Sequence, residues 1–383
     1  MTKTWPLVRL GDVFRRVKDE VMVEEDESYA RLTIRMNGNG IVQRDRVPGR
    51  EIGTKRQFIA RAGQLVLSKI DARNGAFGIL PPHCDNAIIT GNFWAFDADH
   101  ERLIPRFFDY LTKTRMFVDF CIRASEGTTN RLYLQEDQFL TQKIMLPPLA
   151  EQRRIVARIE ELAAQINEAC TLREEIERDL NAMLAAAHRQ IAAGAPRKQL
   201  SEAAPLTRRP VTVEQERSYP AIAVRSFGRG TFHKPPLVGS EVTWEKPFLV
   251  KAGDILVSNI KAWEGALAVA KSEDDGRVGS HRYLTCVPIQ GVATARFVCF
   301  HLLTPEGLYE VGEASPGSAD RNRTLSARAF MRIPIPVPEY SKQVWFDSLC
   351  AEVDALKRLQ AETAVELDAL LPAILDRAFK GEL

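Results

Sequence analysis

The chain has 383 residues, with 52 lysines and arginines against 50 aspartates and glutamates, so its formal net charge is only +2. Apolar residues make up 45% of the chain, which is ordinary for a folded protein and argues against a disordered one. At this length two or three domains are expected, each large enough to bury its own core. The near-neutral balance counts at first sight against nucleic-acid binding, which usually brings a basic excess.

Several classes of protein are disfavoured by what the sequence lacks. No apolar run reaches the ~20 residues of a membrane span and no signal peptide opens the chain, which predicts a cytoplasmic location. The six cysteines and six histidines are scattered without metal-ligand spacing, so no metal site is predicted and each histidine is interpreted as incidental. Motifs for nucleotide hydrolysis, nuclease, methyltransferase and serine-hydrolase chemistry are missing, so no catalytic residue is predicted.

The chain repeats itself at an offset of 190 residues. Residues 58–76 and 248–266 share Phe, Ala, Gly, Ser, Ile, Ala, Gly and Ala in register. At an offset of 191, residues 146–152 match 337–343 more loosely, with the Glu before the Gln lost, and residues 203–217 have little counterpart. The pattern indicates a tandem duplication of a unit of roughly 190 residues.

The first part of each copy mixes short β-like runs with turns. Residues 65–67 (Leu-Val-Leu) and 255–257 (Ile-Leu-Val) each follow an Ala-Gly turn, which predicts a short buried strand. Gly38-Asn39-Gly40 and Gly228-Arg229-Gly230 open no helical pattern, so they are too weak a signal for a phosphate-binding loop.

A long helix is predicted in the second part of each copy. Apolar positions recur every three or four residues from Ile155 to Ile191 and from Leu349 to Ala378. Gly194 with the proline that follows it is placed to end the first helix, whereas Pro372 predicts a kink or an earlier stop in the second.

These elements predict an α+β fold with two tandem mixed domains that contain small sheets. The expected order is a first domain (1–146), a central spacer helix (147–193), a second domain (194–337) and a C-terminal spacer helix (338–383). A helix of ~40 residues is ~60 Å long, too long to wrap around one small domain. We therefore expect the helices to pack as an antiparallel coiled coil within an internal pseudo-twofold repeat.

The net charge is distributed unevenly over these four segments. Residues 1–146 carry 22 basic and 19 acidic groups and residues 194–338 carry 19 and 14, whereas residues 147–193 carry 6 and 8 and residues 339–383 carry 5 and 9. Two mildly basic domains joined by acidic helices are compatible with DNA contact. Clusters of basic residues recur at comparable places in both domains, at 44–56 and 225–234.

Four motifs carry a resemblance to a known family. They are the opening at residues 5–12, the Ala-Gly…Ser…Ile…Gly segments beginning at Ala62 and Ala252, the entry into the first long helix at 146–156, and the tail at 371–383. Together they span essentially the whole chain. The chain resembles the specificity subunit of type I DNA restriction–modification systems.

The resemblance implies a non-catalytic subunit with two target recognition domains. Each domain would read one half of an asymmetric, bipartite site on double-stranded DNA, and the helices would set the gap. Two methyltransferase (modification) subunits would dock on the chain, bind S-adenosylmethionine and methylate adenine, and a restriction translocase–nuclease would use ATP and Mg. The chain itself is expected to bind no cofactor. Partner binding is expected at Pro147, Pro148, Leu149, Glu151, Gln152 and Ile155.

DNA contacts are expected from polar and basic side chains on the loops of each domain. The candidates in the first domain are Arg35, Arg44, Lys69, Arg73, Asn74 and Arg131. Those in the second domain are Arg225, Arg229, Asn259, Lys261, Trp263, Arg321 and Arg323. Two alternatives stay open, namely a coiled-coil scaffold or regulatory protein whose globular heads bind protein partners, and a nuclease with an atypical site.

Overall fold

The computed structural model describes residues 5–128, 131–242, 246–317 and 323–383. The chain divides into two compact units. The first comprises the residues up to Leu172 together with Glu362–Leu383, and the second comprises Arg173–Ala361. Each unit therefore combines a mixed α/β part with portions of two long helices.

The first unit begins with short strands and helices and leads into the first long helix. Its elements are β1 (Leu7–Arg9), β2 (Phe14–Val17), β3 (Glu20–Met22), β4 (Ser28–Ile34), β5 (Ile41–Pro48), β6 (Arg56–Ala60), β7 (Leu65–Ser68), β8 (Phe77–Ile79), β9 (Ala87–Ile89), β10 (Phe93–Ala98), α1 (Pro105–Thr112), α2 (Arg115–Arg123), β11 (Ser125–Thr128), β12 (Arg131–Leu134), α3 (Glu136–Leu140), β13 (Lys143–Met145) and α4 (Leu149–Ala192).

Two sheets organise this unit. The first has the order β2-β10-β7-β8 and is antiparallel throughout. The second has the order β3-β6-β9-β4-β5, in which β4 and β9 run parallel. The strand pairs β1–β13 and β11–β12 complete the set of ladders in the described part of the unit.

Strand β7 is the predicted buried strand, and all four of its residues are buried. Because side chains alternate along a strand, Leu65 and Leu67 enter the main core while Val66 enters a second apolar cluster on the other face. The main core is rich in phenylalanine, with Phe77, Phe117 and their neighbours in edge-to-face contacts. Apolar residues on both faces of β7 hold the two clusters together.

The second unit repeats this plan in its own elements. They are β14 (Arg197–Gln199), α5 (Leu200–Ala203), β15 (Ser218–Tyr219), β16 (Ile222–Val224), β17 (Thr231–His233), β18 (Leu237–Val238), β19 (Phe248–Leu249), β20 (Ile255–Ser258), β21 (Leu267–Val269), β22 (Val278–Gly279), β23 (Tyr283–Cys286), α6 (Ala295–Leu303), α7 (Pro305–Glu313), α8 (Ala327–Phe330), β24 (Pro334–Pro336) and α9 (Tyr340–Phe379).

The predicted duplication is visible in the strand pairings. Strand β20 lies between β21 and β23, as β7 lies between β8 and β10. Residues 203–217 have little counterpart in sequence, but part of their backbone has one in the structure. Leu206 bridges Cys286 and Pro210 bridges Phe248, at the offset of 190 from the pairs Arg16–Phe96 and Glu20–Phe58 of the first unit. Backbone pairing is preserved there because it does not require particular side chains.

The long helices pack in opposite directions within each unit. In the first unit Ile155 and Ile159, near the start of α4, share a core with Leu375 and Ala378 near the end of α9. In the second unit Leu184, near the end of α4, shares a cluster with Phe346 and other residues near the start of α9. The predicted α+β class with small sheets and long paired helices is confirmed.

The two predicted helix terminators behave differently. Helix α4 ends at Ala192, and Gly194 has a φ of +71°, which suits a glycine after a helix. Helix α9 continues through Pro372 to Phe379, so the predicted early stop is wrong. The turns after Pro372 bury Ala378 and Phe379 in the first core, which offsets the hydrogen bond that the proline removes.

Gly75 provides a test of the packing between the turn after β7 and the loop that joins β4 to β5. Its φ is +80°, and a Cβ there would lie 2.7 Å from the amide nitrogens of Asn37 and Gly38. We expect Gly75→Ala to lower the free energy of unfolding by about 1–3 kcal/mol, measured by chemical denaturation. Gly53→Ala is the matched control, since its Cβ meets no described atom within 4 Å. Equal stability of the two variants would contradict this account of the packing.

Candidate nucleic-acid interface

Three segments meet at the end of the central strand in the first unit. The first is the turn after β7, which runs from Lys69 to Gly75. The Ser68 hydroxyl, itself buried, accepts hydrogen bonds from the backbone N–H groups of Ile70 (3.3 Å) and Asp71 (3.1 Å). A serine is therefore suited to this position in the repeat, because its side chain fixes the direction in which the chain leaves the strand.

The second segment is the Gly-x-Gly loop between β4 and β5. The backbone N–H of Asn37 donates to the carbonyl of Asn74 (2.8 Å), and that of Gly38 donates to the carbonyl of Gly75 (3.0 Å). These bonds use the amides in the packing of two loops, so the motif has a structural role here. Its recurrence in the second unit, through Phe227 and Gly228 onto Glu264 and Gly265, has the same two bonds at 2.8 Å each.

The third segment is the strand β12. The backbone N–H of Leu134 donates to the carbonyl of Lys69 (2.8 Å), and in the second unit Leu325 donates to Asn259 (2.7 Å). The repeat thus brings together the segments that contain most of the predicted DNA-contacting residues. They are distant in the sequence and joined by main-chain hydrogen bonds.

The cations of the first unit are available at this place. Arg35 and Asn74 are exposed, and Lys69 and Arg73 are half-buried. Within the described ranges, the side chains of Arg35, Lys69 and Arg73 make no hydrogen bond or ion pair. Asn74 makes a 3.3 Å contact to Asp71 on the same turn. An unpaired guanidinium or ammonium group is free to bind an anion or the edge of a base.

Two other candidates of the first unit, Arg44 and Arg131, are not among these unpaired cations. Arg44 lies on β5 in the five-stranded sheet, beside Asp45 (3.3 Å), and lines a cavity of about 330 Å³. Arg31 donates two hydrogen bonds of 2.7 Å to the same carboxylate, which lowers the pKa of Asp45. The structure thus places Arg44 away from the three converging segments. The backbone of Arg131 pairs with Thr128, and its side chain lies outside the described part of the structure.

In the second unit the candidate arginines beside the Gly-x-Gly loop are already engaged. Arg225 lies over the ring of Phe232 (5.0 Å) and Arg229 over that of Phe227 (5.6 Å). Both are exposed, and Phe227 is 71% exposed with a φ of +61°, an unusual conformation for a bulky residue.

Trp263 is the centre of the second group of contacts. Lys261 and Arg323 lie over its ring at 5.2 and 4.9 Å. Lys261 also donates to Glu264 (2.6 Å), which lowers the pKa of that carboxyl group, with a further contribution from Ser226. Arg323 donates to the carbonyls of residues 312 and 315 at 3.2 and 3.3 Å.

Two polar atoms beside these contacts are buried without a hydrogen-bond partner in the described structure, namely Asn259 Oδ1 and Trp263 Nε1. Arg321 lies outside the described residues. The two units therefore present the same backbone frame with different chemistry. In the first unit the turn after the central strand holds free cations, and in the second it holds a tryptophan with two cations over its ring.

The residues expected to bind a partner surround the start of α4. Pro148 is exposed, Leu149 and Glu151 are half-buried, and Pro147 is buried. Glu151 pairs with Arg154 at 2.9 Å. Gln152 and Ile155 are only 0% and 1% exposed and Pro147 is also buried, so direct contact of these three side chains with a partner is corrected to an internal role.

Gln152 joins the long helix to the domain before it. Its Oε1 accepts from the backbone N–H of Ile104 (2.8 Å), and its Nε2 donates to the carbonyls of Arg102 (2.7 Å) and Pro147 (2.8 Å). The amide is satisfied on both sides, as a fully buried amide requires.

Gln343 repeats this arrangement at the start of α9. It accepts from Thr294 (3.0 Å) and donates to the carbonyls of Val292 (2.9 Å) and Pro338 (2.8 Å). The second junction lost its glutamate but kept this interaction. The function of the glutamine in the motif is therefore structural in both copies.

Two histidines interpreted as incidental are brought together in the second unit. His188 on α4 and His301 on α6 stack with ring centroids 5.4 Å apart. Spacing within the chain gave no sign of this contact. Comparison of the two copies does single out both positions, because each has a histidine where the other copy has an apolar residue. His188 aligns with Phe379 at the offset of 191, and His301 aligns with Leu111 at the offset of 190.

Other kinds of site find no support in the described ranges. No group of three or more histidine, cysteine, aspartate or glutamate side chains there is placed to hold a metal ion. No described helix is both long and apolar enough to cross a membrane.

The fold is a duplicated α+β unit with long paired helices. Comparison with protein families and with solved structures shows which proteins share it. Residues 2–178 match the family described as type I restriction modification DNA specificity domain. No curated protein matches the sequence. Among solved structures, the HsdS subunit from Thermoanaerobacter tengcongensis is similar with a TM-score of 0.61 and 21% identity, over 99% of this chain and 97% of that one.

A second similar structure is described as the structural basis underlying complex assembly and conformational transition of the type I R-M system. It has a TM-score of 0.69 and 22% identity, over 99% of this chain and 98% of that one. The recognition made from the sequence is confirmed over residues 2–178, which belong to the type I restriction modification DNA specificity domain family, and the whole chain shares the fold of the two similar structures. The description of this family associates the matched domain with DNA sequence recognition.

Gln152→Glu tests the internal role of the glutamine. The substitution keeps the shape of the side chain but replaces its amide N–H donors with a carboxylate. A carboxylate cannot donate hydrogen bonds to the carbonyls of Arg102 and Pro147. We expect the free energy of unfolding to fall by about 2–4 kcal/mol, because two buried acceptors lose their donor. Chemical denaturation measures it, with Arg153→Ala on the exposed face of the same turn as the control. A variant as stable as this control would exclude the proposed role.

Proposed function

We propose that this chain is a non-catalytic reader of a bipartite DNA site. Each domain binds one half of an asymmetric sequence on double-stranded DNA, and the long helices set the distance between the halves. The observation that carries the proposal is the recurrence, in both units, of three converging segments with polar and basic side chains on one conserved backbone frame.

The side chains at equivalent positions of the two turns support different base preferences. Lys69, Asp71, Arg73 and Asn74 in the first unit correspond to Asn259, Lys261, Trp263 and Glu264 in the second. Arginine and lysine donate to guanine, asparagine pairs with adenine, and glutamate accepts from cytosine. Substitution of one set by the other changes the pattern of donors and acceptors, so the two half-sites are expected to differ in sequence.

Partners are part of the proposal. Two methyltransferase subunits dock at the starts of the long helices, bind S-adenosylmethionine and methylate adenine in the two half-sites. A restriction translocase–nuclease that uses ATP and Mg completes the complex. In the first unit Pro148, Leu149 and Glu151 retain exposed surface for such docking. The small net charge of +2 favours a chain that binds DNA firmly only with its partners, which neutralise further phosphates.

The methylated sequence tests the two-domain reader directly. DNA from cells that produce this chain with its methyltransferase subunit is sequenced by a single-molecule method that detects methylated adenine. We expect two half-sites of different sequence separated by a gap of fixed length. A palindromic or continuous motif would contradict the proposal, and the absence of methylation specific to this chain would favour a scaffold.

The free cations of the first unit provide a residue-level test. Lys69→Ala and Arg73→Ala should each weaken DNA binding by the assembled complex. A lost phosphate contact should reduce the slope of log K against log salt by about one, whereas a lost base contact should cost about 1–3 kcal/mol at one base position. Fluorescence anisotropy over a range of salt concentrations separates these cases.

Arg115→Ala is the matched control for this experiment. Arg115 is an exposed arginine of the same unit that pairs with Asp119 at 3.0 Å on α2, outside the converging segments. Equal affinities and salt slopes for the three variants would remove Lys69 and Arg73 from the DNA interface.

A further inference from the structure

A pair of uncharged histidines lies in the core that joins α4 to the rest of the second unit. His188 is 4% exposed and His301 is 2% exposed. Their rings are nearly parallel, at 24°, with centroids 5.4 Å apart. The ring of His188 also contacts three phenylalanines, whose centroids lie between 4.8 and 5.7 Å away: Phe297, Phe300 and Phe346.

Among the described residues, the Nε2 atom of neither imidazole has a hydrogen-bond partner that would stabilise the charged form of the ring, and both atoms are buried. The pKa of each is lowered to about 4, mainly by burial, and for His188 the neighbouring His301 contributes to this shift. Glu306 on α7 acts in the opposite direction, but its carboxylate is already paired with Arg197 at 2.6 Å.

The other ionisable groups of the surrounding elements are occupied or neutral. On α9, Asp347 accepts from Thr294 at 3.0 Å, and Asp354 pairs with Arg296 of α6 at 2.6 Å. Burial raises the pKa of the thiols of Cys299 and Cys350, so they remain protonated. The side chains of α6 and α9 that contact His188 are aromatic. A proton on either imidazole would therefore place a positive charge there with no additional carboxylate among the described residues to balance it.

The first unit has the same junction without histidine. At the offsets of the repeat, Phe379 stands in place of His188 and Leu111 in place of His301. Phe379 packs on Phe107, the counterpart of Phe297, with centroids 5.1 Å apart. The packing is thus possible with apolar side chains alone, and the second unit differs by two titratable groups.

We propose that the His188–His301 cluster makes the attachment of α4 to the second unit sensitive to acid, so that uptake of a proton by either imidazole opens this junction while the corresponding junction of the first unit stays closed. The inference goes beyond DNA recognition and does not depend on it. It assigns to one of two homologous junctions a conformational response that the other lacks.

The direction of the effect follows from proton linkage. A histidine whose pKa is lower in the folded state than its ordinary value near 6.5 takes up its proton when the junction opens. The stabilisation is therefore complete above about pH 6.5 and is lost as the pH falls toward 4. Between pH 7.5 and 5.0 the equilibrium constant for opening should rise by about 30-fold for each imidazole released.

Hydrogen exchange of the full-length chain, resolved by peptide and corrected for the intrinsic effect of pH, measures this opening. From pH 7.5 to 5.0 we expect protection to fall in peptides covering 180–192 and 295–304. Peptides covering 105–112 and 371–379 of the first unit should keep theirs. Equal loss in both units, or no loss in the second, would overturn the proposal.

Substitutions that copy one unit into the other separate the histidines from general acid effects. His188→Phe with His301→Leu copies the first unit and should abolish the acid-dependent loss of protection. His83→Asn with His100→Asn removes two exposed histidines of the first unit and should leave that loss unchanged. An acid response that persists in the first variant would refute the role of the cluster.

The reverse exchange keeps the test decisive if the apolar variant fails to fold. Leu111→His with Phe379→His introduces the pair into the first unit, and we expect peptides 105–112 and 371–379 to lose protection between pH 7.5 and 5.0. If this variant is open already at pH 7.5, each single substitution is measured in its place. A folded variant without the new acid response would contradict the proposal.

Discussion

The buried glutamine at the start of each long helix is the contact on which the arrangement of both units depends. Gln152 and Gln343 each accept one backbone hydrogen bond and donate two, to a residue just before the helix and to a segment of the domain about 50 residues earlier. Because every polar atom of the amide is used away from water, the orientation of the helix relative to its own domain is tightly defined. The surface that a domain presents is fixed relative to the helix that follows it.

The second constraint is the main-chain contact between loops at the end of the central strand. The turn after β7 receives hydrogen bonds from the Gly-x-Gly loop and from β12, and the turn after β20 receives the same set. These bonds do not use side chains, so the side chains on the turn can differ between the copies without loss of the frame. That independence is what the proposed reading of two different half-sites by one fold requires.

The two units also place opposite charges on the same pair of backbone segments. In the first unit Asp19 pairs with Arg61 at 2.7 Å. At the equivalent position of the second unit, Arg209 instead forms a bidentate pair with the buried Asp254. The acidic and basic partners have changed segments while the extended backbone remains in place, which is why residues 203–217 look unrelated in sequence and are equivalent in structure.

The sequence by itself determined the duplication, the fold class, the buried central strands and the extent of the first long helix. Turn residues and the spacing of apolar side chains act over a few residues, and they are therefore visible without coordinates. Only the tertiary structure decided that Gln152 is internal, that Lys69 and Arg73 are free while Lys261 and Arg323 are engaged, that α9 passes Pro372, and that His188 meets His301. Each of these depends on contacts between segments far apart in the chain, whose energy is set by burial and by the partner that the fold supplies.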